Sequence, residues 1–417
     1  MKGNLIIKNA NIITPLGSSA SKGSRMGEIY TRQNSYIVCQ EGKITKIDNM
    51  ENLEDWLTSD TSGIVYHIYD AKKRCVLPGF VDSHTHLIFG GFRPDEFGWR
   101  LKGDTYMSIM ERGGGIQSTV DATRKASFEE LKSKALWFID AMSKMGVTTV
   151  EAKSGYGLDV ETEQKMLEVI DSIRKDPESK VSVVSTFLGA HAVPKEYAGR
   201  TAEYVDLIIN EMLPRFKSLA QNCDVFCEKN VFEIEDTRRL MKAAEKAGYS
   251  LKLHADEIVQ LGGGELAAEL HALSADHLLH VSDEGVRKMA ENDVVATLLP
   301  LTAFALKEPY APARKFIEAG GAVALATDLN PGSCFSGSIP LTIALACIYM
   351  NMSIEETITA LTLNGAAAIG LAESKGSIEV GKDADFAVLV SPNYHVLPYY
   401  VGMNCVLDTI KGGVVLR

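Results

Sequence analysis

Short apolar strands alternate with amphipathic helices from Cys75 onward, and this alternation constrains the fold more than any other feature. The helix patterns are clearest over 161–174 and 235–247, where apolar residues recur at helical spacing. Such alternation is typical of parallel strands covered on both sides, and eight units favour a closed barrel. The predicted strands are 75–83, 147–152, 181–188, 225–228, 251–254, 274–277, 294–298 and 323–327.

The two ends of the chain have a β pattern instead. Strands are predicted within 4–13 and 36–48, and again at 377–380, 386–390 and 414–416, after helices near 338–350 and 353–369. We therefore expect an α/β protein with a TIM-like (β/α)8 barrel and a small β-sandwich formed by both termini. The predicted domains are 1–74 and 373–417 for the sandwich and 75–372 for the barrel.

Composition limits the possible partners. The 417 residues are 46% hydrophobic, which suffices for a large core, and the net charge of −11 argues against nucleic acid and anionic membranes as partners. We find no apolar run of the ~20 residues that span a membrane, and the N-terminal apolar stretch is too short for a signal peptide. The seven scattered cysteines predict buried free thiols. We expect a cytoplasmic protein.

His84 and His86 lie two residues apart where the first barrel strand is predicted to end. Alternate residues of an extended strand point to the same face, so both imidazoles can reach one metal ion. The pair is weak evidence alone. Its location strengthens it, because active sites of parallel barrels lie at the C-terminal ends of the strands.

Other predicted strand ends carry similar residues: His254 on strand five, His277 on strand six and Asp328 on strand eight. Each has a structural alternative, as a hydrogen-bonded core histidine or a helix-capping aspartate. Five such residues at four strand ends instead predict a metal site. His191, after strand three, could face the same pocket. His280 is ambiguous, and structural or surface roles are expected for His67, His271 and His395.

The stretch 76–86 (VLPGFVDSHTH) resembles the strand-one motif of the amidohydrolase superfamily, and 376–386 (GSIEVGKDADF) resembles its return to the sandwich domain. Within the superfamily, six further stretches resemble enzymes of histidine degradation that open a cyclic imidazolone. They are 89–93, 151–158, 186–191, 254–257, 274–277 and 327–333. The resemblance therefore implies a metal-dependent hydrolase that acts on a cyclic amide bond.

The resemblance also implies roles for individual residues. The metal ligands would be His84, His86, His254 and Asp328. The residues that contact substrate would be Arg93, Tyr156, His191, Glu257, Asn330, Gly332 and Ser333. The catalytic residues would be Asp328, His277 and Glu257.

The chemistry of ring opening agrees with these assignments. A bound Zn²⁺ lowers the pKa of water from 15.7 to about 7, and three histidines with one carboxylate leave room for that water. Asp328 can move a proton to the leaving nitrogen, and His277 can hydrogen-bond the carbonyl oxygen. Glu257 can accept from a ring N–H, although a solvated loop carboxylate is its alternative. Arg93 can hold a substrate propionate through a bidentate fork, with a surface salt bridge as its alternative.

One metal ion is favoured over two. Many binuclear amidohydrolases bridge their metals with a carbamylated lysine on strand four, but strand four here ends in Glu228, and Lys153 follows strand two. The sequence leaves Zn²⁺ and iron (Fe²⁺ or Fe³⁺) open, because imidazole and carboxylate suit both metals. A homodimer is common for such barrels and is expected here.

Two loop segments complete the predictions. The long insert after His86, including 104–116, is expected to cover the site. Residues 161–165 are expected to begin an ordinary exposed helix.

Two other functions are possible. A mononuclear aminohydrolase that deaminates a purine or pyrimidine base would use a similar metal set, but a base has no carboxylate for Arg93. A catalytically inactive homologue with an interaction role should have lost metal ligands, whereas all four are present.

Overall fold

The computed structural model describes residues 1–104, 112 and 114–416, and the strands of this part form two sheets. In chain order they are β1 (Leu5–Thr14), β2 (Tyr30–Gln40), β3 (Lys43–Asn49), β4 (His67–Asp70), β5 (Cys75–Pro78), β6 (Phe80–Asp82), β7 (Val147–Lys153), β8 (Ser182–Ala190), β9 (Asn222–Cys227), β10 (Ser250–Ala255), β11 (Ser274–His277), β12 (Val295–Leu298), β13 (Ala322–Leu325), β14 (Phe386–Leu389), β15 (Val406–Lys411) and β16 (Val414–Val415).

Strands β6 to β13 form the predicted barrel. Each is hydrogen-bonded in parallel to its neighbour in the sequence, so the order in space is the order in the chain. The first and last strands meet just beyond their ends, where Asp328 N donates to His84 O (3.0 Å) and His86 N donates to Leu329 O (2.9 Å). These two bonds bring the predicted metal ligands of strands one and eight together.

Most of the helices cover the barrel, whereas Leu53–Ser59 packs against β1 and β2. Their bounds are Leu53–Ser59, Pro94–Leu101, Ile116–Lys125, Phe128–Ser143, Val160–Arg174, Thr201–Leu207, Leu213–Phe216, Ile234–Lys246, Gly263–Glu269, Asp283–Glu291, Pro300–Leu306, Ala313–Glu318, Ile339–Tyr349, Ile354–Ala360, Leu363–Ala367 and Val396–Tyr399. The helices predicted at 161–174, 235–247 and 338–350 are confirmed within one residue at each end. The one predicted over 353–369 is two helices, because Thr362 has a non-helical backbone (φ −126°, ψ −89°).

The helix Val160–Arg174 illustrates how the sequence sets these elements. Asp159 precedes it, and its carboxylate accepts from Thr162 N at 2.7 Å, which satisfies one of the free N–H groups of the first turn. Met166, Val169 and Ile170 are fully buried on its inner face. A capped start and one apolar stripe are what pack a helix against the barrel.

The second sheet joins the two ends of the chain, as predicted. Its order is β16-β15-β14-β5-β1-β2-β3, with β4 paired to β1. Within 36–48, where short strands with turns were predicted, β2 and β3 form a hairpin around Glu41 and Gly42, both at positive φ. The strand predicted at 377–380 is wrong, and β4 and β15 were not predicted.

The strand predicted over 75–83 is also wrong as a single element. It divides at Gly79 into β5, which pairs with β1 and β14, and β6, which pairs with β7. A Cβ at Gly79 would lie 2.2 Å from Thr148 Oγ1, so only glycine fits where the chain passes between the sheets. The sequence predicted one strand here because the apolar pattern continues through Gly79, although the chain leaves one sheet and enters the other at that residue.

Three further predictions concern burial and loops. All seven cysteines lie in the described part as free thiols, and all but Cys347 are buried. Within the described residues, no helix has both the length and the apolar character to cross a membrane. The prediction that 104–116 cover the site falls largely on 105–111 and 113, which lie outside the described residues.

Candidate metal centre and active site

His84 and His86 follow β6 and are buried, with 0% and 3% of their surface exposed. Between them, the Thr85 hydroxyl donates to Glu151 O at 2.6 Å, which holds the segment extended beside β7. Each histidine places Nε2 3.5 Å from the same atom, Asp328 Oδ1. The spacing of two residues therefore aims both rings at one point, as predicted.

His254 and His277 complete this cluster. His254 Nε2 lies 3.3 Å from His86 Nε2, and its ring centroid is 4.6 Å from that of His84. His277 lies 5.1 Å from His254 and 5.4 Å from His84, measured between ring centroids. His277 and Asp328 have left-handed backbones, with φ of 73° and 53°. This conformation is uncommon for residues other than glycine, although aspartate and histidine adopt it more readily than most.

The donor atoms of this cluster fit a metal ion. His84, His86 and Asp328 offer ligand atoms within 4.8 Å of one another, as do two further triplets that contain His254. His84 Nε2 and Asp328 Oδ1 are buried without a hydrogen-bond partner in the described part. Burial holds the pKa values of His84 and His86 well below the usual range, so both rings are neutral. Neutral imidazoles and a carboxylate are ligands for divalent zinc or iron.

Two carboxylates that the sequence analysis missed lie behind these histidines. Asp276 Oδ2 is 2.6 Å from His84 Nδ1, and Asp224 Oδ2 is 3.0 Å from His254 Nδ1. Burial raises the pKa of both carboxyls, but Lys252 and Lys153 outweigh burial at Asp276, as do His254 and Lys153 at Asp224. Both pKa values end below the usual range, so the histidines rest on ionised partners.

Lys153 is fully buried beneath the cluster. Its Nζ lies 2.7 Å from Asp224 Oδ2 and 2.9 Å from Glu151 Oε2. Burial lowers the pKa of the ammonium, but Asp224 and then Glu151 outweigh it and hold the pKa above its usual value. Glu228, expected at the end of strand four, follows β9 and accepts from Ile258 N at 2.8 Å. Its carboxylate thus fixes the loop that carries Glu257.

Glu257 lies above the cluster, with its Oε1 3.6 Å from His277 Nδ1. Burial, and then the Asp328 carboxylate, raise the pKa of Glu257 to about 8. Burial also raises the pKa of Asp328 to about 6, although the Thr302 hydroxyl, which donates to its Oδ2 at 2.6 Å, opposes this. The carboxyls thus titrate near neutrality in the metal-free protein, as acid–base groups do.

Tyr156 and His191 pack against the ring of His86. The His191 ring stacks on the His86 ring, with 4.9 Å between the ring centroids. The centroid of the Tyr156 ring lies 5.8 Å from that of His86. His191 Nδ1 is 3.0 Å from Gly155 O, which ties it to the tyrosine loop. Burial, and then His254, lower the pKa of His191 to about 3, so its imidazole is neutral.

The prediction that 161–165 begin an ordinary exposed helix is wrong at Glu163. This side chain is fully buried, and its carboxylate accepts from the backbone N–H groups of Gly155, Gly157 and Leu158 at 2.8–3.2 Å. All five residues of 161–165 are polar or charged, so the sequence alone does not distinguish the inward carboxylate of Glu163 from that of its exposed neighbour Glu161.

Arg93 lies against the loop that follows Asp328. A Cβ added to Gly332 would fall 1.8 Å from Arg93 Nη2, so the guanidinium occupies the space that a side chain would fill. Arg93 Nη1 is 3.4 Å from Glu96 Oε2, while its Nε is buried without a partner among the described residues. Arg100 Nη2 donates to Gly332 O at 2.9 Å and holds the loop from the other side.

Asn330 and Ser333 are bonded within their own turn. Asn330 Oδ1 accepts from Gly332 N (2.8 Å) and Ser333 N (2.7 Å), and its Nδ2 donates to Asp328 O (2.8 Å). Asn330 is therefore placed to shape the loop beside Arg93. The structure thus gathers the predicted metal ligands and His277 at one point, with the predicted substrate residues in the surrounding loops.

Comparison with known proteins agrees with this geometry. Residues 75–416 match the model of the amidohydrolase family, whose members are metal-dependent. Among solved structures, 5-methylcytosine deaminase from Klebsiella pneumoniae superposes with a TM-score of 0.74 at 17% identity, covering 99% of this chain and 98% of that one. Identity this low supports the shared fold alone.

Two curated relatives are much more similar. A protein from Bacteroides thetaiotaomicron is 62% identical over 99% of both chains, and one from Phocaeicola vulgatus is 61% identical over 100% of both. Both are named imidazolonepropionase. The chain therefore belongs to the amidohydrolase family and, within it, to the imidazolonepropionases.

Proposed function

We propose that this protein hydrolyses the cyclic amide C–N bond of 4-imidazolone-5-propanoate, which yields N-formimidoyl-L-glutamate in histidine degradation. The observation that carries the proposal is the identity of 61–62% over the full length of relatives named imidazolonepropionase. The cluster of histidines and Asp328 at the barrel mouth supplies the chemistry that such a hydrolysis requires.

We assign the metal site to His84, His86, His254 and Asp328 and expect one divalent ion, zinc or iron, per subunit. This set is supported by the Nε2 atoms of His84 and His86, each of which lies 3.5 Å from Asp328 Oδ1. When bound, such an ion supplies Lewis acidity, which polarises a carbonyl and makes water acidic. Because Lys153 is ion-paired to Asp224 and Glu151, a single ion remains the favoured arrangement.

Acid–base work then belongs to three side chains. Asp328 accepts a proton from the attacking water and returns it to the ring nitrogen that leaves. The neutral imidazole of His277 donates a hydrogen bond to the carbonyl oxygen as negative charge develops there. Glu257, whose Oε1 lies 3.6 Å from His277 Nδ1, accepts a hydrogen bond from a ring N–H of the substrate and so orients the substrate.

Arg93 is proposed to hold the propionate of the substrate. Its side chain is only 12% exposed and presents a guanidinium beside Gly332, in a loop that begins two residues after Asp328. Tyr156 and His191 form the wall on the side of His86, and the turn with Asn330 and Ser333 closes the pocket around the carboxylate. A planar carboxylate matches the fork of donors that arginine offers.

The decisive experiment combines metal analysis with turnover. The purified protein is expected to contain about one zinc or iron per chain and to convert 4-imidazolone-5-propanoate to N-formimidoyl-L-glutamate. Replacing Asp328 with alanine is expected to abolish turnover, whereas replacing Arg93 chiefly weakens substrate binding. If the metal-loaded protein leaves the imidazolone intact but releases ammonia from a purine or pyrimidine base, it is a deaminase instead.

Location and assembly remain predictions. We propose a cytoplasmic homodimer that takes a small carboxylate substrate and binds neither nucleic acid nor membrane. The net charge of −11 supports the last point. Sedimentation of the purified protein measures its oligomeric state.

A further inference from the structure

A cluster of charged side chains fills the barrel beneath the metal site. It consists of Glu151, Lys153, Asp224, Lys252 and Asp276, each with 0% exposed surface. The proposed reaction uses none of these groups directly. Burying charges costs several kcal/mol per ion unless they are well paired, so the cluster needs an explanation beyond stability.

The two aspartates contact the histidines on the side opposite to the metal cluster. Asp276 Oδ2 lies 2.6 Å from His84 Nδ1, and Asp224 Oδ2 lies 3.0 Å from His254 Nδ1. The His84 contact is a hydrogen bond in which the Asp276 carboxylate, itself facing Lys252 and Lys153, accepts from Nδ1. Asp224 has the corresponding place beside His254, where its Oδ2 faces Nδ1 as an ion-pair partner and its Oδ1 accepts from the His254 backbone N–H at 3.1 Å. With the proton on Nδ1, the rings of His84 and His254 each have a lone pair on Nε2 that can bind the metal ion. These Nε2 atoms face Asp328 and His86, respectively.

Lys153 links the two contacts. Its Nζ lies 2.7 Å from Asp224 Oδ2 and 3.8 Å from Asp276 Oδ2, so one ammonium serves both carboxylates. Lys252 has a different position, because its Nζ is 3.3 Å from Asp276 and donates to Ser274 Oγ at 2.6 Å. Glu151 is anchored on Lys153 and accepts from the Thr186 hydroxyl.

We propose that Lys153, Asp224 and Asp276 form one positioning unit, which fixes His84 and His254 in the tautomer that binds metal and thereby sets the affinity for the ion. The inference rests on the proposed metal site and deepens it. It gives Lys153 a role as a fixed cation that acts through two carboxylates, without contact with substrate.

The first test measures metal affinity by competition with a chromophoric chelator. Asp224→Asn and Asp276→Asn keep the shape of the side chain and remove its charge, and each is expected to weaken zinc binding about 10- to 100-fold. Asp385→Asn is the matched control, since it removes a buried, lysine-paired carboxylate that lies just before β14, outside the barrel. Its zinc affinity should stay within twofold of the wild type.

A charge-balanced pair tests Lys153. Lys153→Met alone leaves three buried carboxylates, those of Asp224, Glu151 and Asp276, without their shared cation and can unfold the barrel. The double variant K153M/D224N removes one positive and one negative charge together and should keep the native circular dichroism spectrum. It is expected to bind zinc at least as weakly as Asp224→Asn. Wild-type affinity in this folded double variant would overturn the proposal.

A spectroscopic measurement distinguishes positioning from a merely structural role. In zinc-loaded protein labelled with ¹⁵N-histidine, His84 and His254 are expected to carry protons on Nδ1, and Asp276→Asn should shift or broaden the His84 signal. Wild-type protein that binds zinc with unprotonated Nδ1 atoms, or aspartate variants with unchanged affinity, would refute this inference alone. Wild-type protein that binds no metal would refute the proposed function instead.

Discussion

At the residue scale, the site depends on side chains whose charge states the barrel interior changes. Burial makes the imidazoles of His84 and His86 neutral and raises the pKa of Glu257 to about 8. The same interior keeps Asp224 and Asp276 ionised, because lysines and His254 lie beside them. Proton donors, acceptors and ligands are therefore assigned by local environment, since the residue types alone do not distinguish these roles.

The pKa of Glu257 gives a prediction for the metal-free protein. An unfolded glutamate titrates near ~4.3, whereas the folded group titrates at about 8. Between these values the folded state binds more protons than the unfolded state, so stability falls as pH rises through this window. Glu257→Gln should remove that loss.

Urea unfolding at two pH values measures this effect. The variant should exceed the metal-free wild type in stability at pH ~9, and the advantage should disappear near pH ~4. An equal difference at both values would show that Glu257 is already ionised in the folded protein at neutral pH.

The second residue-scale prediction concerns Arg93. A charge-assisted, bidentate contact with a carboxylate contributes roughly 1.5–3 kcal/mol, so Arg93→Ala should raise KM about 10- to 100-fold with a smaller change in kcat. Arg93→Lys keeps the charge without the fork and should recover only part of the loss. The control is an imidazolone substrate without the propionate, for which wild type and variant should be alike.

At the scale of elements, loops are held in place by side chains that do not themselves reach the cluster. Glu163 fixes the loop of Tyr156, Glu228 fixes that of Glu257, and Asn330 fixes the turn beside Arg93. Each is a polar side chain that satisfies backbone N–H groups at a strand end. Buried loop backbone needs such partners, because an unsatisfied N–H group is costly.

Gly332→Ala tests the fit between Arg93 and its loop. The new Cβ would fall 1.8 Å from Arg93 Nη2, the end of a flexible side chain, so the guanidinium should move while the fold remains. KM should rise, and the melting temperature should change little. Gly98→Ala is the control, because nothing lies within 4 Å of its added Cβ. An unchanged KM in Gly332→Ala would contradict the placement of Arg93.

Glu163→Gln tests the tyrosine loop. The amide keeps one acceptor oxygen but loses the charge that faces the N–H groups of Gly155, Gly157 and Leu158, each such bond contributing about 1.5–3 kcal/mol. We expect lower thermal stability and a higher KM. Glu161→Gln changes an exposed carboxylate in the same turn and should match the wild type in both measurements.

At the scale of the whole molecule, the sheet built from both termini depends on Asp385. Burial raises the pKa of its carboxyl, but Lys411 and Lys375 outweigh burial and hold the pKa well below the usual range. Its oxygens lie 2.7 Å from Lys375 Nζ and 2.8 Å from Lys411 Nζ. Removing one partner of a buried ion pair costs about 3–5 kcal/mol, so Asp385→Asn should lower the free energy of unfolding by that amount at pH 7.

The sign of the pH dependence follows from the lowered pKa. The contribution of Asp385 is complete above the unfolded pKa of ~3.9 and is lost as pH falls toward the folded value. Wild type and variant should therefore converge in stability below pH ~4, as measured by urea unfolding. Asp383→Asn, which removes a more exposed partner of Lys375, should cost less than Asp385→Asn at pH 7.

Much of the fold and of the candidate site could be predicted because the same strand-and-helix pattern repeats along the chain. The strand and helix periods of 147–298 identify the barrel, and closure then brings the C-terminal strand ends together. The sequence also contains a pattern that could have identified Asp224 and Asp276, the carboxylates behind the histidines. Glu151 and Lys153 lie two residues apart on β7, as do Lys252 and His254 on β10, so each pair points to one face of its strand. Asp224 and Asp276 lie on β9 and β11, the strands on either side of β10.

The sequence by itself determined the barrel, the β domain at the termini and the residues that meet at the candidate metal site, because each depends on local period and position at a strand end. Only the tertiary structure decided the division of β5 from β6 at Gly79, the burial of Glu163 and the contacts of Lys153 with Asp224 and Asp276. These features depend on which side chains from distant strands lie together in the buried, low-dielectric interior. A local sequence pattern does not contain that information.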